Sequence, residues 1–268
     1  GFTGPPGVGK STTIDAIVQV LRAGGVRVGV IAVDPTSPFT GGALLGDRIR
    51  MSKSTEDAGV FIRSMATRGT TGGLSRATQD AADIRDASGA ARILIETVGV
   101  GQSEVEIARA ADLTVVILSP ESGDGIQAMK SGILEIADLV LINKADRMGA
   151  DKLEQDLRGA FDLRPSRREA DIPILHAEAV RGKGIPELLA AVDLQLEARR
   201  RDGTFERRRQ ANMVRRLRRL AEYMIERNLW EENGAGGRLE SMAQDVLNHS
   251  KTSYQAAELL VREALKTR

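Results

Sequence analysis

The eight residues from Gly4 to Ser11 constrain this chain more than any other stretch. They read GPPGVGKS, which matches the pattern GxxxxGK(S/T) of a phosphate-binding loop. Glycines let backbone N–H groups turn toward a phosphate, and the helix that follows adds partial positive charge there. Lys10 is the predicted catalytic cation for the β- and γ-phosphates, and the Ser11 hydroxyl is a predicted Mg²⁺ ligand. The predicted nucleotide contacts here are Gly4, Pro5, Pro6, Gly7, Val8, Gly9, Lys10, Ser11 and Thr12.

The sequence around the loop alternates between helical and strand patterns. Thr12 to Ala23 has apolar residues at helical spacing, and Val26 to Val33 reads as a buried strand. Further strands are predicted at 60–65, 92–96, 113–118, 139–142 and 172–175, with helices between them, among them one over 126–136. The predicted fold class is therefore α/β, a P-loop NTPase with a mainly parallel sheet flanked by helices.

Composition excludes several classes of protein. The 268 residues carry a net charge of +1, so no global charge draws the chain to nucleic acid or to a membrane. Cys is absent, which excludes disulfides and fits a reducing cytoplasm. We therefore expect a cytoplasmic protein. Because only Gly1, Phe2 and Thr3 precede the loop, we expect the natural protein to extend further at its N-terminus, where targeting stays open.

A second motif, Asn143-Lys144-Ala145-Asp146, matches the NKxD pattern that reads guanine. The carboxylate of Asp146 can accept hydrogen bonds from the ring N–H and the exocyclic amine of guanine, a donor pair that adenine lacks. Asn143 can tie this loop to the phosphate-binding loop, and the stem of Lys144 can cover the purine. The motif predicts GTP and GDP as ligands.

Two acidic residues, each at the end of a predicted strand, are predicted to contribute to a metal-binding site. Glu96 begins Glu96-Thr97-Val98-Gly99, in the place of a DxxG element, and Asp34 ends the second strand. Ser11, Asp34 and Glu96 are the predicted Mg²⁺ ligands. Gly99 is predicted to donate its N–H to the γ-phosphate. Val100 stands where many GTPases place a water-orienting Gln, so we expect slow intrinsic hydrolysis.

The stretch from Glu178 to Ile185 resembles the closing guanine motif SAxxGxGI, with Glu178 in the Ser position. Glu178, Ala179 and Val180 are the predicted contacts with guanine. From about residue 195 the chain becomes helical and rich in arginine. Residues 1–195 are therefore predicted to form the nucleotide domain, and residues 196–268 a helical C-terminal arm with an apolar stripe at Met213, Leu217, Leu220 and Met224.

Four stretches resemble the MeaB/ArgK family of GTPases: Asp34 to Gly42, Leu45 to Met51, Phe61 to Gly69 and Glu96 to Glu104. The resemblance covers most of residues 1–200. It implies a SIMIBI-class GTPase that dimerises through its C-terminal helices. It also implies that the protein acts as a chaperone for an adenosylcobalamin-dependent acyl-CoA mutase of the methylmalonyl-CoA mutase type, gating cofactor loading and protecting or rescuing the mutase. Residues 119–130 would form a third switch loop, and Lys130 would be a second catalytic cation.

Two other functions remain open at this point. Similar sequences are sometimes described as a P-loop kinase or ATPase linked to amino-acid transport, a function that requires ATP. The arginine clusters near residues 199–219 could bind RNA, although a solvated helix face balanced by Glu is the favoured interpretation. We expect neither a nucleic-acid nor a membrane partner.

Overall fold

The computed structural model describes residues 1–34, 57–66, 76–97, 103–122, 132–162, 172–232 and 235–266. These residues fall into two compact units, Gly1–Glu206 and Arg207–Arg268. Residue 195, where the sequence predicts a domain boundary, lies inside the helix Ile185–Arg201 of the first unit. The division into a nucleotide domain and a helical arm stays a prediction.

The first unit contains a parallel β-sheet. Its strands are β1 (Phe2–Thr3), β2 (Val28–Asp34), β3 (Val60–Ala66), β4 (Arg92–Thr97), β5 (Val115–Leu118), β6 (Leu139–Asn143) and β7 (Ile174–Ala177). Among the described residues they form one seven-stranded sheet in the order β3-β2-β4-β1-β5-β6-β7, and every neighbouring pair is parallel. This confirms the predicted α/β class. Ligands of such sheets bind beyond the carboxyl ends of the strands.

Helices cover both faces of this sheet. They are α1 (Lys10–Ala23), α2 (Arg76–Ala87), α3 (Ser103–Ala110), α4 (Ala150–Asp162) and α5 (Ile185–Arg201). Alternate strand residues point to opposite faces, so Ile117 and Leu141 pack with Ile14 of α1 and Leu188 of α5, while their neighbours pack toward α4. On that second face the core contains Val116, Leu118, Val140, Ile142, Leu153 and Leu157.

Arg199 fastens the C-terminal part of α5 to residues that precede β5 and β6, at the amino ends of these two strands. Its Nη2 lies 2.5 Å from Asp138 Oδ1, and its Nη1 donates to the Asp112 carbonyl oxygen at 2.9 Å. The other oxygen of the buried Asp138 carboxylate accepts the backbone N–H of Thr114 at 2.8 Å. A buried ion pair of this kind orients the groups it joins. It fixes the position of α5, the helix that follows the predicted closing motif, relative to β5 and β6.

Two element predictions differ from the structure. The strand predicted at 172–175 occupies Ile174–Ala177, because the backbone pairing with β6 runs from Val140–Ile174 to Asn143–Ala177. The helix predicted at 126–136 is described only from residue 132, and there it is a short 3₁₀-helix, Ile133–Ile136, preceded by Gly132 at φ 74°. Residues 123–131 lie outside the described residues.

The second unit is helical. It contains most of α6 (Thr204–Arg227), whose first three residues belong to the first unit. α6 leads into a π-helical turn, Asn228–Glu232, followed by α7 (Ala235–Leu247) and α8 (Ser253–Lys266). α7 and α8 pack together, with Ala256 and Leu260 buried. On α6 the apolar side chains of Met213, Leu217 and Met224 are 49%, 58% and 67% exposed. No helix among the described residues is both long and apolar enough to cross a bilayer.

Candidate nucleotide site

The loop from Gly4 to Gly9 connects β1 to α1 through backbone conformations that favour glycine. Gly4, Gly7 and Gly9 have φ values of 147°, 86° and 92°, in the left-handed region or beyond it. A Cβ at Gly4 would lie 2.0 Å from the Ile117 carbonyl oxygen, so the loop backbone lies directly against β5. The loop is therefore held at the carboxyl ends of the central strands, where the sequence predicted it.

Lys10 is a buried cation at the start of α1. Its ammonium group donates to the carbonyl oxygens of Gly4 at 2.8 Å and Pro5 at 2.9 Å. The side chain is therefore folded back over the loop rather than extended into solvent. An ammonium group in this position can neutralise charge on phosphates held by the loop N–H groups.

Ser11 and Glu96 meet beneath the loop. Ser11 Oγ donates to Glu96 Oε1 at 2.8 Å, and Glu96 is only 4% exposed. The contact follows from the sheet, because β1 pairs with β4 with Phe2 opposite Glu96. A hydroxyl and a carboxylate are oxygen ligands of the kind that Mg²⁺ prefers, so the donor set fits the predicted ion. Asp34 ends β2 on the same edge of the sheet, but its side chain lies outside the described part of the structure.

Two threonines strengthen the phosphate end, and the sequence analysis missed them. Thr97 Oγ1 donates to Thr3 Oγ1 at 2.9 Å, and both side chains are buried. The bond joins the end of β4 to the last residue before the loop. Thr97 lies inside the quoted motif Glu96-Thr97-Val98-Gly99, so only its pairing across the sheet required the structure.

Asn143 connects three motifs. Its Nδ2 donates to the Val8 carbonyl oxygen at 2.8 Å, and its Oδ1 accepts the Ala179 N–H at 3.1 Å. Asn143 is 3% exposed, so both bonds are shielded from water. The side chain therefore holds the phosphate-binding loop and the closing motif against the end of β6.

Asp146 lies in the turn after Asn143 and is exposed. Lys144 between them has a left-handed backbone, with φ 57°. The Ala145 N–H donates to the Ala177 carbonyl oxygen at 3.0 Å, which fixes the turn to the end of β7. The structure thus presents the predicted guanine-reading carboxylate at the same edge of the sheet as the phosphate-binding loop.

Glu178 occupies the Ser position of the closing motif, and its carboxylate is engaged by two cations. Its oxygens lie 2.7 Å from Lys183 Nζ and 2.8 Å from Arg181 Nη1. The hydrogen bond from Lys183, followed by that from Arg181, lowers the pKa of Glu178. The same contact raises the pKa of Arg181, with a further contribution from the charge of Asp146. Ala179 is buried and Val180 is 89% exposed.

The remaining predicted site residues lie outside the described residues. These are Gly99 and Lys130, together with Val100 and the greater part of the predicted switch segment 119–130. Within the described residues, no group of three or more His, Asp or Glu side chains is arranged around a metal position. The predicted Mg²⁺ shell therefore consists, where described, of Ser11 and Glu96.

Comparison with known proteins identifies the family. A family profile described as methylmalonyl Co-A mutase-associated GTPase MeaB matches residues 1–234. The chain belongs to the MeaB family of GTPases. A Pyrococcus abyssi protein whose name describes it as a GTPase is 43% identical to this MeaB-family chain over 268 residues, which are 99% of the chain and 82% of that protein.

Two further relatives are informative. The mouse protein named methylmalonic aciduria type A homolog, mitochondrial, is 42% identical over 192 residues, which cover 70% of this MeaB-family chain and 46% of the mouse protein. A crystal structure described as the LAO/AO transport system kinase superposes with a TM-score of 0.69 at 27% identity, covering 99% of this chain and 80% of that one. These matches confirm the P-loop GTPase fold.

The contact between Gly9 and Asn143 yields a stability prediction. A Cβ at Gly9 would lie 2.5 Å from Asn143 Nδ2, whereas one at Gly7 would meet nothing within 4 Å. Both positions have positive φ, so each Gly→Ala change carries about 1–2 kcal/mol of backbone strain. We expect Gly9→Ala to lower the free energy of unfolding by about 1–2 kcal/mol more than Gly7→Ala, because it displaces a buried hydrogen bond. Urea titration of nucleotide-free protein measures both.

An Asn143→Ala background is the control for this comparison. Removing the side chain makes room for the added methyl group, so the extra loss at Gly9 should disappear there. Equal losses for Gly7→Ala and Gly9→Ala in the wild-type background would contradict the contact.

Proposed function

We propose that this MeaB-family chain is a GTP-hydrolysing switch that acts as a chaperone for an adenosylcobalamin-dependent acyl-CoA mutase of the methylmalonyl-CoA mutase type. The pair of buried hydrogen bonds made by Asn143 carries the nucleotide part of the proposal. Those bonds draw the phosphate-binding loop, the NKxD turn and the closing motif into one site. A site with that composition suits a guanine nucleotide better than any other ligand class.

Base recognition is assigned to Asp146. An ionised carboxylate accepts both the ring N–H and the amine of guanine, while adenine presents an acceptor at the first of these positions. Binding ATP would therefore leave the carboxylate without its partners, a cost that discriminates strongly. The Ala179 N–H donates to Asn143 and positions the closing motif, so the neighbouring Val180 N–H is the proposed donor to the carbonyl edge of the base.

Hydrolysis is assigned to the phosphate end. Water attacks the γ-phosphate in line with the leaving oxygen, and Lys10 with the loop N–H groups stabilises the charge that develops. Ser11, Glu96 and Asp34 are the residues proposed to hold Mg²⁺, which would neutralise phosphate charge when bound. Gly99 is the proposed γ-phosphate contact, and Lys130 a second cation there. Because Val100 cannot orient water, the proposed intrinsic rate is slow.

The mutase part of the proposal rests on the family. The matching profile is described as mutase-associated, and four stretches of the sequence resemble the MeaB/ArgK family. Hydrolysis would alternate two conformations that the mutase distinguishes, which is how a nucleotide switch controls a partner. The proposed location is the cytoplasm, in line with a cysteine-free composition.

The proposed homodimer rests on α6. Met213, Leu217 and Met224 repeat at helical spacing and are about half or more exposed, as Val214 and Ile225 are beside them. Large apolar side chains exposed along one helix face are typical of an interface. A second copy of the chain is the occupant that the family resemblance favours.

Replacing the carboxylate of Asp146 tests the nucleotide assignment. Asp146→Asn turns one acceptor into a donor, so we expect GTP affinity to fall on the order of a hundredfold while xanthosine triphosphate affinity rises. Competition titrations with GTP, xanthosine triphosphate and ATP measure the change. Asp151→Asn, an exposed carboxylate in the first turn of α4, is the matched control and should leave the order of affinities unchanged. Tighter binding of ATP than GTP by the wild type would favour the kinase alternative.

Co-purification tests the partner. Candidate acyl-CoA mutases are incubated with the wild-type chain in the presence of GDP, of a non-hydrolysable GTP analogue, or of neither. We expect a mutase to be retained in an amount that depends on the nucleotide. Asp146→Asn should lose that dependence at nucleotide concentrations that just saturate the wild type, because its affinity for the guanine analogue is much lower. If no mutase associates in any nucleotide state, the chaperone assignment fails while the GTPase assignment stands.

Light scattering tests the dimer. We expect the wild type to have twice the mass of the 28.8 kDa chain, and Leu217→Glu to shift the protein toward monomer, since the change buries a charge in the proposed interface. Arg215→Glu places a negative charge about 160° around α6 from Leu217, at an exposed position, and is the control. A wild type that is monomeric at all concentrations would refute the interface.

A further inference from the structure

Glu121 lies where two loops leave the sheet side by side. It belongs to the short 3₁₀-helix Pro120–Ser122 that follows β5. β5 and β6 are parallel neighbours with Leu118 opposite Ile142, so the residues after β5 run beside the NKxD turn. The two loops are in contact, because a Cβ at Gly149 would lie at an ordinary packing distance of 3.6 Å from Pro120 Cβ.

The carboxylate of Glu121 binds two cations of the NKxD turn, one with each oxygen. Oε2 lies 2.9 Å from Lys144 Nζ, and Oε1 lies 2.9 Å from Arg147 Nη1. The hydrogen bond from Lys144 holds the pKa of Glu121 below its usual range, so the group is ionised at neutral pH. One side chain from outside the turn thus contacts residues on both sides of Asp146.

We propose that Glu121 is a positioning residue for the guanine base. It holds the stem of Lys144 in the orientation that covers the purine, and it steadies the turn that presents Asp146. The inference rests on the proposed guanine-nucleotide function and adds a residue that no guanine motif contains. Glu121 acts through Lys144 and Arg147 rather than by touching the nucleotide.

The physical basis is preorganisation. A lysine side chain loses considerable rotamer freedom when it is fixed, and a binding site that fixes it beforehand loses less on binding its ligand. Lys144 is 34% exposed in its side chain, and Glu121 38%, so neither is immobilised by burial alone. The ion pair is therefore the constraint on Lys144. Because exposed ion pairs are individually weak, the expected effect on affinity is modest.

The effect should be confined to the base end of the site. Lys10 is held by Gly4 and Pro5, and Ser11 by Glu96, so the described phosphate contacts do not involve Glu121. Loss of the Glu121 carboxylate should therefore lower the affinities for GDP and for GTP by the same factor. A residue that served the γ-phosphate would instead weaken GTP selectively.

Isothermal titration of the wild type, Glu121→Gln, Arg147→Gln and the double variant with GDP and with a non-hydrolysable GTP analogue tests this. We expect Glu121→Gln to lower the affinity for both ligands about fivefold, and Arg147→Gln to lower it about twofold. The double variant should resemble Glu121→Gln, because the two residues form one ion pair. In about 1 M salt, where the pairs are screened, the variant and wild-type affinities should converge. Glu187→Gln is the control, since this exposed carboxylate forms no ion pair with any described residue.

The outcomes are distinct. Equal affinities for wild type and Glu121→Gln, a selective loss of the GTP analogue, or fully additive losses in the double variant would each overturn the positioning role. Glu121→Asp, which keeps the charge on a shorter stem, should restore part of the affinity if the role is correct. A wild type that binds no guanine nucleotide would refute the proposed function itself, and this inference with it.

Discussion

The side chain of Asn143 is the interaction on which the rest of the site depends. Its amide is a single group with a donor and an acceptor at fixed separation, and it uses both within the protein. The donor contacts the Val8 carbonyl of the phosphate-binding loop, and the acceptor contacts the Ala179 N–H of the closing motif. Because Asn143 ends β6, these two bonds hold the phosphate-binding loop and the closing motif at the carboxyl end of that strand. Because residue 9 is glycine, no Cβ blocks the approach of the Asn143 amide to the phosphate-binding loop.

The two ends of the site are stabilised differently. At the phosphate end, Lys10 and Glu96 are charged groups at 7% and 4% exposure, and each is held by short hydrogen bonds to the loop or to α1. Burying polar groups of this kind is costly unless they are hydrogen-bonded, so these bonds offset part of the cost of placing them beneath the loop. At this end of the site, the Lys10 ammonium group could neutralise the charge of a bound phosphate without a change in the fold.

At the base end, two carboxylates each contact a pair of cations near the surface. Glu121 pairs with Lys144 and Arg147, and Glu178 pairs with Lys183 and Arg181. Pairs exposed to water are weak and salt-sensitive, so they orient side chains without locking them. In the proposed function, such contacts would let the base enter and leave more readily than a sealed pocket would.

The motifs of the site could be predicted from the sequence because their chemistry is local. The spacing of Gly4, Gly9, Lys10 and Ser11, and the run from Asn143 to Asp146, specify their own loops through positive φ and strand ends. The α/β class followed from alternation of buried strands and amphipathic helices, and the structure confirms it. Boundaries were less predictable. The strand predicted at 172–175 lies two residues later, because the register with β6 sets where pairing begins.

Contacts between residues far apart in the chain could not be predicted from the sequence. Nothing near Thr3 indicates Thr97 as its partner, and nothing near Glu121 indicates Lys144 and Arg147, since strand order brings them together. Glu178 could be placed in the closing motif from its neighbours, yet its pairing with Lys183 depends on how residues 178–183 fold back on themselves. Local spacing thus determined which ligand chemistry the chain carries. The packing of parallel strands decided which side chains hold that chemistry in place, because only the sheet brings distant strand ends within hydrogen-bond distance.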